Sequence, residues 1–207
     1  MKSYLKDLLE LFPCNWNTIL FGWRGLGSLS PWPDDWERFP SLLSEDELNS
    51  YCQGVISSEI SESTSLLIVT LMDELADANH TRTSILECIK PLAGQKYEKE
   101  DLEFRKWRCA MVYSLLHNPG LDEFELARRL DELWIELGTP DDVPSEISMR
   151  FLSRCTNPQY DKMSCVSRLR ICRNWLRNEI MAVTALCTKG MDAEDNKIGE
   201  GGHETVE

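Results

Sequence analysis

One stretch of the sequence, residues 98–117, constrains the fold more than any other. It reads "EKEDLEFRKWRCAMVYSLLH", and its apolar residues recur at the spacing of an α-helix. They form two stripes, Phe104, Trp107, Met111 and Leu115, and Cys109, Val112 and Leu116. Because the second half is apolar nearly all round, it predicts a central helix that other helices enclose. Asp101 and Arg105 are four residues apart on this helix and can pair.

The first fifty-five residues contain two further helix patterns. A short amphipathic helix is expected to end near Pro13 and to turn four apolar side chains to one face, Leu5, Leu8, Leu9 and Phe12. Ser44 and Glu47 have the spacing of a capping box, which predicts that a helix begins there and runs through Val55. Between these helices, residues 22–42 are rich in glycine, proline and tryptophan, so we expect a long irregular loop.

The remaining segments also have helical spacing. Residues 62–77 predict a buried helix, although Leu66–Met72 alone is also compatible with a buried strand. We expect further helices over residues 81–94, 121–137 and 162–187. Tryptophans within these patterns are expected in or near the core, namely Trp107, Trp134 and Trp175. The fold class is therefore all-α: a single domain of antiparallel helix hairpins over residues 1–189, followed by a disordered acidic tail over 190–207.

The net charge of −13 restricts the classes of partner. Residues 1–153 are strongly acidic, residues 154–189 are basic, and the tail is acidic again. An acidic body repels nucleic acid and attracts basic proteins, so we expect a protein partner and no direct nucleic-acid binding. No apolar run is long enough for a membrane helix, and the start lacks a signal-peptide pattern, so we expect a cytoplasmic protein.

Motifs that carry chemistry are missing from the sequence. The eight cysteines form no C-x-x-C pair and are expected to be free structural thiols. His80, His117 and His203 have no metal-ligand spacing, and no P-loop, nucleophile elbow or dinucleotide fingerprint occurs. We therefore expect no enzyme activity, no metal and no cofactor.

Charged clusters leave several interpretations open. The adjacent acids Asp141 and Asp142 follow Gly138 and Pro140, which stop a helix. They fit the cap of a next turn, a protein contact or, less well, a metal or catalytic site. The last helix has three arginines on one face, Arg170, Arg173 and Arg177. These arginines fit phosphate binding, but in so acidic a chain pairing with its own carboxylates or acidic tail is favoured.

Three segments in succession resemble a known pattern: "FGWRGL" at 21–26, "FRKWRCAMVYSLLHN" at 104–118 and "LDELWIELGTPDDV" at 130–143. Together they resemble an uncharacterised family of small helical bacterial proteins that look like immunity proteins of polymorphic-toxin and contact-dependent-inhibition systems. The sequence departs from that pattern at "ISMRFLSR", residues 147–154, where an aromatic Met-Pro ending is expected. The resemblance implies a protein that neutralises a cognate toxin domain.

The first hypothesis is therefore an immunity protein that occludes the active site of a basic, nuclease-type toxin. Its candidate partner-binding residues are Trp32, Asp34, Asp35, Glu132, Glu136, Asp141 and Asp142. One alternative is a metal-dependent helical hydrolase whose carboxylates meet His117 in a cleft. Another is a regulatory or scaffold module whose acidic tail masks the arginine face of the last helix.

Overall fold

The computed structural model describes residues 4–26, 39–58, 60–94, 100–137 and 162–199. Within these ranges the chain forms eight helices and no strand. They are α1 (Leu5–Leu11), α2 (Trp16–Arg24), α3 (Glu45–Ile56), α4 (Glu62–Ala76), α5 (Arg82–Ala93), α6 (Glu100–Leu116), α7 (Glu123–Glu136) and α8 (Lys162–Gly199). The all-α fold class is confirmed, and the helix pattern over residues 62–77 is a helix rather than a strand.

The central helix is α6, as its sequence pattern predicts. It packs against α1, α2, α7 and α8, and the Trp107 side chain is completely buried. The Trp107 indole N–H donates to the carbonyl oxygen of Thr18 at 2.9 Å, which ties α6 to α2. Trp134 and Trp175 are also buried and meet edge-on with their ring centroids 4.9 Å apart, which confirms their predicted core positions.

The irregular loop predicted from residue 22 begins later in the structure, because α2 continues through Gly22 and Trp23 to Arg24. An Asn15–Thr18 capping box begins this helix. At its other end, Arg82 of α5 donates to the Trp23 carbonyl oxygen at 2.7 Å. In return, the Trp23 indole donates to the Arg82 carbonyl oxygen at 3.0 Å. Helix ends leave carbonyls unpaired, so this reciprocal contact stabilises the C-terminus of α2.

Two predicted apolar faces are wrong in part. Leu9 of α1 is 48% exposed, whereas Leu5, Leu8 and Phe12 are buried as expected. Helix α4 is amphipathic rather than buried, because only its Ile68 and Leu71 side chains are enclosed. The α4 residue Leu66 is 67% exposed.

The last helix extends beyond its predicted end. Helix α8 continues to Gly199, so the predicted acidic tail, 190–207, overlaps it, and residues 200–207 lie outside the described ranges. The division into a domain over 1–189 and a tail stays a prediction. Among the described residues, no helix combines the length and apolar character needed to cross a membrane.

Candidate functional site

Two of the seven predicted partner-binding residues, Glu132 and Glu136, lie in the described part of the chain, both on α7. The other five lie outside the described residues: Trp32, Asp34, Asp35, Asp141 and Asp142. Gly138 and Pro140, the predicted helix stop, also lie outside them, although α7 does end at Glu136. The outer face of α7 is therefore the part of the predicted surface whose geometry can be derived.

Helix α7 has one buried side and one solvent side. Asp122 caps its first turn, because its carboxylate accepts the Glu125 backbone N–H at 2.8 Å. The buried side chains are Leu126, Ala127, Leu130, Leu133 and Trp134, which pack toward α6 and α8. This spacing turns Glu125, Glu132 and Glu136 outward, as the sequence pattern predicts.

An ion-pair network covers the middle of this outer face. The Arg128 guanidinium donates to both Glu125 oxygens, at 2.6 and 2.8 Å, and also to Glu132. Arg129 donates to Glu125 at 2.9 Å and lies 3.8 Å from a Glu132 oxygen. The hydrogen bonds from Arg128, and then from Arg129, lower the pKa of the Glu125 carboxyl to about 2. Two arginines thus balance the charges of two glutamates here. Beyond them, at the end of the helix, Glu136 is an exposed carboxylate.

Two exposed apolar side chains lie beside this network. Phe124 is 50% exposed and Ile135 is 45% exposed. They are eleven residues apart, which is three helical turns, so both lie on the same side of α7. Large apolar side chains next to fixed charges are the usual composition of a protein-binding surface. Neither residue was among the predicted partner-binding residues, which are six acids and one tryptophan.

Two arginines of the "FRKWR" motif belong to a charge cluster with Glu179. Glu179 of α8 accepts hydrogen bonds at 2.7 Å from both Arg105 and Arg108 of α6. The side chain of Arg108 is only 2% exposed. The spacing of Arg105 and Asp101 suggests a pair within α6. Arg105 instead makes the α6–α8 contact, by pairing with Glu179.

A second buried pair, on the other side of α6, contacts the segment between α1 and α2. Lys106 lies 3.2 Å from a Glu103 oxygen, and its ammonium also donates to the Pro13 carbonyl oxygen at 3.3 Å. Both side chains are about 5% exposed or less. The three cations of "FRKWR" therefore pair with carboxylates of α6 and α8, and of the three only Arg105 is partly exposed.

His117, the histidine of the hydrolase alternative, contacts Tyr113 one turn earlier in the chain. His117 lies at the end of α6, where its ring stacks on Tyr113 with centroids 4.0 Å apart. Its Nδ1 lies 2.9 Å from the Tyr113 carbonyl oxygen. In the described ranges, no three His, Cys, Asp or Glu side chains come together as a group that could hold a metal ion.

A surface groove of about 690 Å³ separates α1 from α3. Its lining includes Leu5, Leu9, Cys14, Tyr51 and Val55. Burial raises the pKa values of the Cys14 thiol and the Tyr51 phenol to about 12. Both groups are neutral at physiological pH, and Cys14 is therefore not an activated nucleophile. The cysteines in the described ranges are all free thiols.

Comparison with known proteins gives one match. The model of a family described as "Uncharacterized protein conserved in bacteria (DUF2247)" matches residues 8–180. These residues include α2 to α7, the outer face of α7 and the part of α8 that packs on α6. Neither a curated protein nor a solved structure gives a match.

Proposed function

The chain belongs to the bacterial DUF2247 family, and from this premise we propose that it is a binding protein of the immunity type. It neutralises a cognate toxin domain of basic, nuclease-like character by covering the toxin's active cleft. The observation that carries the proposal is the outer face of α7, where Phe124 and Ile135 lie exposed beside Glu132 and Glu136.

Charge supports a basic partner. The chain has a net charge of −13, and two of its cations, Lys106 and Arg108, are buried against carboxylates. Within the described residues the buried cations and the buried carboxylates Glu103 and Glu179 offset each other, so the core adds no net negative charge. A surface of this sign accelerates encounter with a basic protein and disfavours nucleic acid.

Preorganisation supports tight binding at the outer face of α7. Arg128 and Arg129 hold Glu125 and Glu132 in fixed positions before any partner arrives, so little side-chain entropy remains to be lost on binding. Phe124 and Ile135 then supply apolar contacts that become free of water when the partner covers them. Glu136, at the end of the helix, is the exposed carboxylate that meets a cation of the toxin.

The resemblance of the "LDELWIELGTPDDV" segment to immunity proteins supports the same part of the surface. Residues 130–137 of this segment form the second half of α7 and its C-cap. Its leucines, Leu130, Leu133 and Leu137, are buried, and its acids Glu132 and Glu136 are directed outward. The acidic residues that carry the resemblance are therefore available for contact, while the apolar ones hold the helix in place.

The test is binding between the purified protein and the toxin domain encoded by a neighbouring gene, measured by isothermal titration calorimetry. Replacing Phe124→Ala and Ile135→Ser together should weaken binding at least about tenfold, because anchor residues dominate interface energetics. The matched control is Leu66→Ser, which removes a more exposed apolar side chain from α4 and should leave the affinity unchanged. Equal effects of the α7 and α4 variants would overturn the proposal.

A further inference from the structure

A stripe of five side chains follows the solvent side of α8. Val166, Arg170, Arg173, Arg177 and Met181 recur at three- and four-residue steps, so they lie on one side of the helix over about 22 Å. All five are exposed, Val166 by 46% and Met181 by 67%. We call this set the arginine stripe.

The arginine stripe lies opposite the side of α8 that builds the core. Leu169, Cys172, Leu176 and Val183 are buried, and α8 packs on α6 and α7. The stripe therefore lies outside the buried side of α8. Its two exposed apolar residues, Val166 and Met181, lie at the two ends of the row of arginines.

Other arginines of the chain have specific partners. Arg168, on the same helix, lies 2.8 Å from an Asp131 oxygen of α7. Arg105 and Arg108 share Glu179, and Arg128 pairs with two glutamates. In contrast, no carboxylate within the described ranges pairs with Arg170, Arg173 or Arg177. The expected pairing with the domain's own carboxylates is therefore not found among the described residues, and pairing with the acidic tail stays a prediction.

We propose that the arginine stripe is a docking surface for an acidic amphipathic helix of a protein partner, a helix that carries carboxylates between two apolar residues. Arginine guanidinium groups match carboxylates in bidentate geometry, and Val166 and Met181 match the flanking apolar residues. This surface lies on another helix and has the opposite charge from the outer face of α7, so it is independent of the toxin-binding proposal.

Charge complementarity selects this occupant over a second copy of the chain. If two copies of α8 met in antiparallel fashion, Val166 would meet Met181, but Arg170 would face Arg177. Like charges directly opposite each other disfavour such a symmetric pair. A partner helix with carboxylates satisfies the apolar ends and the cationic centre together.

Geometry disfavours the acidic residues 200–207 as the occupant. Arg173 is twenty-six residues before Gly199, which is about 39 Å along α8. Eight fully extended residues span at most about 28 Å. A nucleic-acid strand is disfavoured for a different reason, because its phosphates continue beyond the stripe onto a protein of net charge −13.

The experiment uses the full chain and a synthetic alanine-based helical peptide that carries three glutamates between two leucines on one face. Binding is measured by fluorescence anisotropy at low and high salt. Peptide binding should weaken as salt is raised. Arg173→Glu with Arg177→Glu should weaken it at least about tenfold, because attraction becomes repulsion at two positions.

Two controls make the result specific. Lys6→Glu with Lys90→Glu changes the net charge equally at exposed positions on α1 and α5, and should leave peptide binding unchanged. A peptide with glutamine in place of glutamate should not bind. All four substituted residues are exposed, so the variants should have the same circular dichroism spectrum as the parent.

Four results would overturn the proposal. These are no binding of the glutamate peptide, equal binding of both peptides, equal effects of the two charge-reversal variants, and a self-association that the Arg173/Arg177 variant abolishes. Binding of a single-stranded oligonucleotide through the stripe, with no peptide binding, would replace it with a nucleic-acid site.

Discussion

At the scale of single residues, Gly22 shows how closely α2 approaches α6. A Cβ atom added to Gly22 would lie 2.2 Å from the Trp107 ring, which is buried and hydrogen bonded to Thr18. Gly22→Ala should therefore lower the free energy of unfolding by about 1–3 kcal/mol, as overpacking does. Chemical denaturation followed by tryptophan fluorescence measures this.

The control for Gly22 is Gly54, in the interior of α3. A Cβ atom added there has no neighbour within 4 Å. Gly54→Ala should raise the free energy of unfolding by roughly 1 kcal/mol, because alanine favours a helix interior over glycine. If Gly22→Ala raised the free energy of unfolding as Gly54→Ala does, the close contact between Gly22 and Trp107 would be contradicted.

Glu179 is the residue that joins α6 to α8 by charge. Glu179→Gln removes the carboxylate that accepts from Arg105 and Arg108, and should cost about 3 kcal/mol, as expected when one partner of a buried ion pair is lost. The exposed α7 acid Glu123 serves as control, and Glu123→Gln should change stability by less than about 0.5 kcal/mol. Equal losses would mean that the buried bridge does not stabilise the α6–α8 contact.

The same residue predicts an acid sensitivity. Burial raises the pKa of the Glu179 carboxyl, but the hydrogen bonds from Arg105 and Arg108 lower it by more, so it ends below its ordinary value. A carboxyl of this kind contributes stability above its unfolded-state pKa, and that contribution is lost as the pH falls through the folded-state value. Thermal unfolding between pH 6 and about pH 3 should therefore show a smaller loss of stability in Glu179→Gln than in the parent.

Some of these residue roles follow from the sequence and others do not. The burial of Trp107, Trp134 and Trp175 follows from helical spacing of large apolar residues. The burial of Lys106 and Arg108 does not, because a charged residue is normally placed at the surface. Lys106 pairs with Glu103, three residues away in the sequence, whereas Arg108 pairs with Glu179, more than seventy residues away. Only the tertiary fold brings the second pair together.

At the scale of elements, one helix start was predicted from a capping signal and another was not. The Ser44–Glu47 capping box begins α3 as predicted. A capping box with the same spacing, at Asn15 and Thr18, begins α2. This helix was not predicted, and its last three residues fall in the range 22–42 that was expected to be a loop. Gly22 lies inside α2, and the space that a side chain would fill there is occupied by the Trp107 ring.

Helix α3 is linked to the start of α5 by His80. Its Nε2 lies 3.0 Å from a Glu45 oxygen, and its Nδ1 lies 2.6 Å from the Asp77 carbonyl oxygen. These contacts, first the one with Glu45, raise the pKa of His80 above 6.5. The stabilisation is fully present below the unfolded-state pKa and is lost as the pH rises through the folded-state value.

A proton NMR titration of the His80 ring measures this link directly. The pKa of His80 should lie above its ordinary value in the parent and should fall in Glu45→Gln. Asp46→Gln is the matched control, because Asp46 is an exposed neighbour of Glu45 on the same helical turn. The His80 ring nitrogens contact Glu45 and the Asp77 carbonyl oxygen instead. An unchanged pKa in Glu45→Gln would contradict the contact between α3 and His80.

At the scale of the whole molecule, the all-α class followed from helical spacing because each described helix buries a regular stripe. The proposed binding surface was less predictable. Glu132 and Glu136 were placed correctly on the solvent side of α7, but the neutralising pairs with Arg128 and Arg129 depend on side-chain conformation. The exposure of Phe124 and Ile135 depends on which sides of α7 are covered by α6 and α8.

The most direct test of the proposed function is to express any toxin domain that a neighbouring gene encodes and to measure its activity while the protein is titrated into it. If the outer face of α7 covers the active cleft, activity falls to background at an equimolar amount of the parent protein. The Phe124→Ala/Ile135→Ser variant then requires a large excess, and Leu66→Ser behaves like the parent. Full toxin activity in an excess of the parent protein would contradict the account.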